Sequence, residues 1–147
     1  MADDETLMIG EILAKVDLAK SKKAKKDLLE QYKKNIILQH YLRGVFDPKV
    51  KWAISEQPDY AEDDITPEGE PANSLYIEIP KCSLFVEGHP KAKGVKPARL
   101  KQILIQVLES LHPTEATLYM QMLKKKSKIK GLTSKLVLEV FPGMYKE

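Results

Sequence analysis

The sequence predicts an all-α protein, a compact array of about six to eight short helices forming a single domain over residues 1–147. Three observations carry that expectation. Apolar residues recur at steps of three and four in every long segment, the period of one helix face. Prolines and glycines fall where helices open and stop, as at Gly44, Pro48, Pro97, Pro113 and Gly143. A chain of 147 residues, 43% hydrophobic and 31% charged, can bury one core without disulfides or metal.

Taken in order, Ile9, Ile12, Leu13 and Val16 mark the inner face of a first helix over residues 7–19. Ser21 caps a second, whose Leu28, Leu29 and Tyr32 share one face. Asn35 caps a third over residues 36–43, and Gly44 ends it. Asp47 and Pro48 supply the cap and first turn of a short helix reaching Trp52. Residues 56–73 carry Pro58, Pro67, Gly69 and Pro71 among acids and read as a long, flexible acidic loop.

Leu75, Ile79, Cys82 and Val86 then resume helical spacing straight through Pro80. Proline removes a backbone bond and clashes with the preceding turn, so a kink or a fresh helix is expected there; a short strand over residues 76–79 is the alternative. Residues 88–97 form a basic loop with Lys91, Lys93 and Lys96. Pro97 opens a helix to Leu111 that buries Leu100, Ile103, Leu104, Val107 and Leu108. Pro113 opens the next, with Leu118, Tyr119, Met122 and Leu123 on one face. Thr133 or Ser134 caps a last helix over residues 135–141, stopped by Pro142 and Gly143.

Several function classes lack their signatures. Cys82 is the only cysteine, which excludes an intramolecular disulfide and a multi-cysteine zinc site and reads as a small buried hydrophobe. His40, His89 and His112 have no metal-ligand spacing. No phosphate-binding glycine loop, dinucleotide fingerprint or nucleophile elbow occurs. The expectation is a protein that is not an enzyme and carries no cofactor and no metal. No apolar run is long enough to span a bilayer, and residues 1–6 are acidic where a secretory signal is basic, so no membrane partner and a cytoplasmic location are expected.

The formal net charge of +3 hides a segregation into basic, acidic and basic thirds. Residues 15–34 hold eight lysines against Asp17, Asp27 and Glu30; residues 56–78 hold eight acids and no lysine or arginine; residues 124–135 hold six lysines and no acid. The first cluster reads equally well as a solvated helix face. Arg43 and Arg99 are the only arginines. Lysine is a hydrated point charge suited to phosphate and lacks the planar fork that reads guanine edges, so a nucleic-acid partner would be held by its backbone. The turn from Gly131 to Ser134 precedes a helix whose free amides, with the two hydroxyls and neighbouring lysines, suit a phosphate; Thr133 or Ser134 simply capping that helix, and Gly131 ending the one before it, is the plainer reading.

The segment PTEATLYMQMLKKKSKIKGLTSKLVLEVFPGM, residues 113–144, combines PxEA, an apolar helix, a basic turn with glycine and a helix with LVLEVFPG. That layout resembles the closing part of the N-terminal helical DNA-binding domain of ATP-dependent DNA ligases, phage ligases in particular. Residues 9–52 are similar to the opening helices of that domain, and together the matched stretches cover a little over half of the chain. The whole chain also resembles a family of proteins of unknown function in T-even-like tailed phages, marine cyanophages included, through VFDP, FVEG, LHPTEA and KGLT…VFPG.

The ligase resemblance implies a module that holds duplex DNA without reading sequence. Carried onto this chain, the implied phosphate contacts are Lys128, Lys130, Gly131, Thr133, Ser134 and Lys135, with Arg43, Lys49 and Lys51 in the first half. Lys124, Lys125 and Lys126 adjoin them, and read also as a solvated helix end. The function so implied is that of a DNA-binding accessory protein of phage replication, repair or recombination, in the cytoplasm of the infected host. The alternative is an adaptor or inhibitor that engages a phage replication protein or a host protein through the acidic loop. Gln39, Leu42 and Phe46 echo a sliding-clamp peptide but fit core contacts of a short helix better, and His40, Trp52 and Tyr76 read as packing residues.

Nick sealing needs a nucleophilic lysine in a KxDG motif, and the chain contains no Asp-Gly pair. Incubated with labelled ATP or NAD and magnesium, the protein is expected to take up no adenylate; a covalent adenylate that survives denaturation would overturn that expectation.

Overall fold

The computed structural model describes residues 8–54, 56–60, 74–87, 89–90, 93–129 and 131–145. Among them run seven α-helices: α1 (Ile9–Leu18), α2 (Lys22–Gln31), α3 (Ile36–Phe46), α4 (Leu75–Glu78), α5 (Pro97–Ser110), α6 (Pro113–Leu123) and α7 (Ser134–Val140). A 3-10 helix (Ile79–Phe85) continues α4. The fold is all-helical as expected. No strand occurs among the described residues, where extended backbone pairs only at the antiparallel Trp52–Val86 bridge.

Most helix starts are made by the residues the sequence offers. Ser21 accepts from Ala24 N–H at 3.0 Å, Asn35 from Leu38 N–H at 3.1 Å and Thr133 from Leu136 N–H at 3.2 Å. Each satisfies one amide that a helix start leaves without a partner. Pro80 stands at the start of the 3-10 helix, so the proline does open a fresh element.

Helix α6 is the axis of the core. Seven of its eleven residues are buried, including Leu118, Tyr119, Met120, Met122 and Leu123, which is wider than one amphipathic stripe because α1, α3 and α5 all pack on it. Tyr41 of α3 donates its hydroxyl to Leu118 O at 2.9 Å, and Phe85 meets Tyr119 edge-to-face at 6.3 Å. Outside this group α7 packs on α2, joining the last helix to the second.

A buried carboxylate fixes the crossing of three helices. Glu115, in the first turn of α6, is 1% exposed. Its Oε2 accepts from Gly10 N–H of α1 at 2.9 Å and its Oε1 from Leu75 N–H of α4 at 3.0 Å. Both donors lie in first turns, where amides have no intrahelical acceptor and the helix dipole is positive. Gly10 makes the approach possible, since a Cβ there would stand 3.2 Å from Glu115 Cγ.

Two expected elements differ. Gly44 does not end α3 but lies inside it, buried, because a Cβ would come within 2.8 Å of Met122 Sδ and 2.9 Å of the Trp52 ring. The glycine serves close helix approach, and α3 runs on to Phe46. The stretch from Asp47 to Trp52 is no helix but a turn: Asp47 Oδ1 accepts from Lys49 N–H at 2.9 Å, its carbonyl takes Val50 N–H, and Trp52 enters the bridge. An aspartate that binds its own chain two residues on makes such a turn in place of a helix cap. In the acidic loop expected over residues 56–73, residues 61–73 lie outside the described residues, as do 88, 91 and 92 of the basic loop.

Burial lifts the Glu115 carboxyl above the usual carboxylate range, against its two amide donors, which lower it. The folded state therefore binds this proton more tightly than the unfolded chain does. Glu115 contributes least at neutral pH, and its contribution grows as pH falls through the folded value towards the unfolded one. Glu115→Gln leaves one acceptor for two buried amides and should destabilise by about 1–3 kcal/mol at pH 7. Denaturant midpoints taken at pH 7 and at mildly acidic pH should give a wild-type advantage that widens on acidification.

Candidate nucleic-acid interface

The twelve sequence-predicted contact residues separate into two groups. One surrounds the turn after α3 and the end of α6, where Arg43, Lys49 and Lys51 come together with Lys124, Lys125 and Lys126 through Lys125. The other lies where α7 meets α2 and contains Gly131, Thr133, Ser134 and Lys135. Lys128 stands on the segment between them, and Lys130 lies outside the described residues.

Not all of these groups are available to a ligand. The Lys125 ammonium donates to Gly44 O at 3.1 Å and Asp47 O at 2.6 Å, closing the end of α3. Burial holds that ammonium below the ordinary lysine value, although Asp47 opposes the shift. Lys125 also takes a positive φ of 55°, which a lysine adopts only when its surroundings hold it there. Lys25 does the same for α1: it is 7% exposed, with its ammonium 2.8 Å from Val16 O and 3.3 Å from Asp17 O. Cations at helix ends satisfy free carbonyls and favour the negative pole of the dipole.

The turn before α7 is likewise occupied by its own structure. Thr133 is a helix cap, and Ser134 Oγ is paired with the Tyr145 hydroxyl at 2.7 Å. Gly131 has φ 81°, and a Cβ would stand 3.0 Å from Lys25 Cε, so the glycine lets the chain cross over the Lys25 stem. The hydroxyl cradle expected at this turn is therefore spent on folding, and the cationic groups that face outward are Lys128 and Lys135.

Folding adds Lys20 and Lys22, from the first basic cluster, which the sequence reads equally well as a solvated face. A groove of about 570 Å³ between the start of α2 and the turn before α7 is lined by Lys20, Ser21, Lys22, Gly131 and Thr133, with Asp17 at its edge. Asp17 also lines a second groove of about 290 Å³ that includes Lys128, so one acidic residue belongs to both grooves. Lys22 and Lys26 reach Glu139 of α7 at 3.2 and 4.0 Å, and Lys22, chiefly by its hydrogen bond, pulls the Glu139 carboxyl below its ordinary range. Lys20, Lys49, Lys51, Lys124, Lys126 and Lys128 are exposed, with no hydrogen-bonded or ion-paired side chain among the described residues, and Lys135, also exposed, adds its charge to the pull on Glu139. The opposite charge of Glu139 was the one hint in the sequence that α7 would meet a lysine-rich helix.

Residues 12–129 match a family described as a family of unknown function (DUF6433), and the chain belongs to that family. The match includes Lys124, Lys126 and Lys128 and stops short of Gly131 and Lys135. No curated protein matches the chain. Within the matched region the lysines divide by what they touch, and stability separates them. Lys125→Ala should lose about 1–3 kcal/mol, because two carbonyls lose a charged donor. Lys124→Ala and Lys126→Ala should stay within about 0.5 kcal/mol of wild type in the same denaturant titration.

Proposed function

We propose that the protein holds duplex DNA by its phosphates, without reading sequence, as a non-catalytic accessory of phage DNA metabolism in the infected cell. The observation that carries this reading is the junction of α2 with α7, which joins two lysine clusters separated by about a hundred residues of chain. Exposed lysines are the groups that neutralise phosphate, and each one that does so releases condensed counterions. Lys20, Lys128 and Lys135 serve this role around the junction, with Lys124 and Lys126 extending it towards Lys49 and Lys51. The scarcity of arginine supports backbone contact over base readout. The phage setting rests on the resemblance of the VFDP, LHPTEA and VFPG segments.

If about five lysines neutralise phosphates, log affinity for duplex DNA should fall with log salt at a slope of about −4.5, and a fourfold rise in salt should cost nearly three decades. Lys20→Glu, Lys128→Glu and Lys135→Glu combined should weaken binding to all duplexes alike and flatten the slope by about 3. Asp17→Asn should strengthen binding, because Asp17 lines both the groove of Lys20 and that of Lys128 and repels phosphate. Mobility shifts at several salt concentrations check all three. Absence of any salt-sensitive affinity at low ionic strength would overturn the reading.

A further inference from the structure

A cleft of about 670 Å³ opens between α3, the 3-10 helix and the Trp52 bridge, away from the junction of α2 with α7. Its walls are apolar, with Ile37, Trp52, Ile79 and Val86 among them, and its polar groups are His40, Arg43 and His89 with the hydroxyl of Ser83. Among the described residues no carboxylate lines it. The cleft therefore pairs a surface suited to a flat apolar ring with cationic and donor groups suited to an anion.

Arg43 is set in place for that second role. Its Nε donates to Asp47 Oδ2 at 3.1 Å, and Asp47, only 2% exposed, is itself fixed by Lys49 N–H. Holding the guanidinium by Nε leaves its two terminal amino groups with no partner among the described residues. The Arg43 side chain remains about half exposed at the lip of the cleft. A planar fork held from behind is the form in which arginine takes a phosphate by two hydrogen bonds. The Trp52 ring is oriented too, with its Nε1 donating to Gly44 O at 3.0 Å.

We infer that this cleft binds a single phosphorylated nucleotide, with the base against the apolar wall that includes Trp52 and the phosphate on Arg43. That chemistry is shared by a free nucleoside monophosphate and by the 5′-phosphorylated end of a DNA strand. The inference is independent of the duplex-binding face, and its test contains no duplex.

Trp52 is the only tryptophan, so its emission reports the cleft directly. Deoxyadenosine 5′-monophosphate should change it saturably with a Kd of about 1 mM or tighter, and deoxyadenosine or inorganic phosphate alone should bind at least about tenfold more weakly. Arg43→Gln should weaken nucleotide binding at least about tenfold. Arg43→Lys keeps a cation beside Asp47, so it guards against a folding defect, and should still lose affinity through loss of the fork. Ser83→Phe, which narrows the cleft and leaves the Arg43–Asp47 pair intact, should abolish binding.

A 5′-phosphorylated oligothymidine that competes with the nucleotide, where its unphosphorylated twin does not, assigns the strand end as ligand; nucleotide binding without such competition assigns the free nucleotide. No saturable change in Trp52 emission with either ligand, or undiminished affinity in both Arg43→Gln and Ser83→Phe, overturns the inference.

Discussion

The fold depends on a carboxylate that solvent does not reach. Burying Glu115 is costly in itself, and the cost is offset because three helix starts converge on it, those of α1 and α4 through Gly10 and Leu75 amides and that of its own helix α6. One side chain thus satisfies amides 105 and 40 residues away in sequence. The geometry is narrow, since any residue larger than glycine at position 10 would press on the Glu115 stem. With α1 and α4 set against α6, the lower end of α1 is fixed where Lys25 can close it, and α2 follows. Both grooves that border Asp17 inherit their shape from that arrangement.

Lysine plays two parts in this protein, and charge alone does not tell them apart. Lys25 and Lys125 turn inward onto the carbonyls at the ends of α1 and α3, and Lys15 reaches the Tyr32 hydroxyl at 3.2 Å. They sit within the same basic runs as Lys20, Lys124 and Lys126, which stay in solvent. Lys25 and Lys125 act as helix caps, and the outward lysines leave a field of positive charge interrupted at Asp17 and Glu139. Among the described residues no buried side-chain nitrogen or oxygen lacks a partner, so the polar groups in the interior are accounted for by folding.

Much of the helical framework was legible because it follows from local chemistry. Ser21, Asn35 and Thr133 cap the helices they precede, and Pro97 and Pro113 open theirs. What was not legible depends on distant partners. Gly44 reads as a helix stop until Met122 and Trp52 are seen to press on it, and Asp47 reads as a cap until it is found binding Lys49 and Arg43. Of the candidate interface, the basic character of residues 124–135 and the capping role of Thr133 were plain, but the diversion of Lys125 to the end of α3 and of Ser134 to Tyr145 was not. Lys20 and Lys22 read equally well as a solvated face because nothing local places α7 beside α2. His40 and Trp52 carried no signal, since the cleft they line is assembled from three separate stretches of chain.

The docking of α7 on α2, and of α1 on α6, also governs the order in which the molecule can form. The first two helices pack on each other, but the helices that complete their burial, α6 and α7, lie in the last third of the sequence, so a chain emerging from the ribosome cannot finish covering Ile12, Leu13 or Leu29 until synthesis is almost complete. Short isolated helices are marginal in water, and long-range closure slows folding relative to bundles built from neighbours. The core as a whole therefore closes late. Its lysine-rich second helix and its lysine-rich closing turn remain mutually repelling parts of an open chain until the core beneath them has closed.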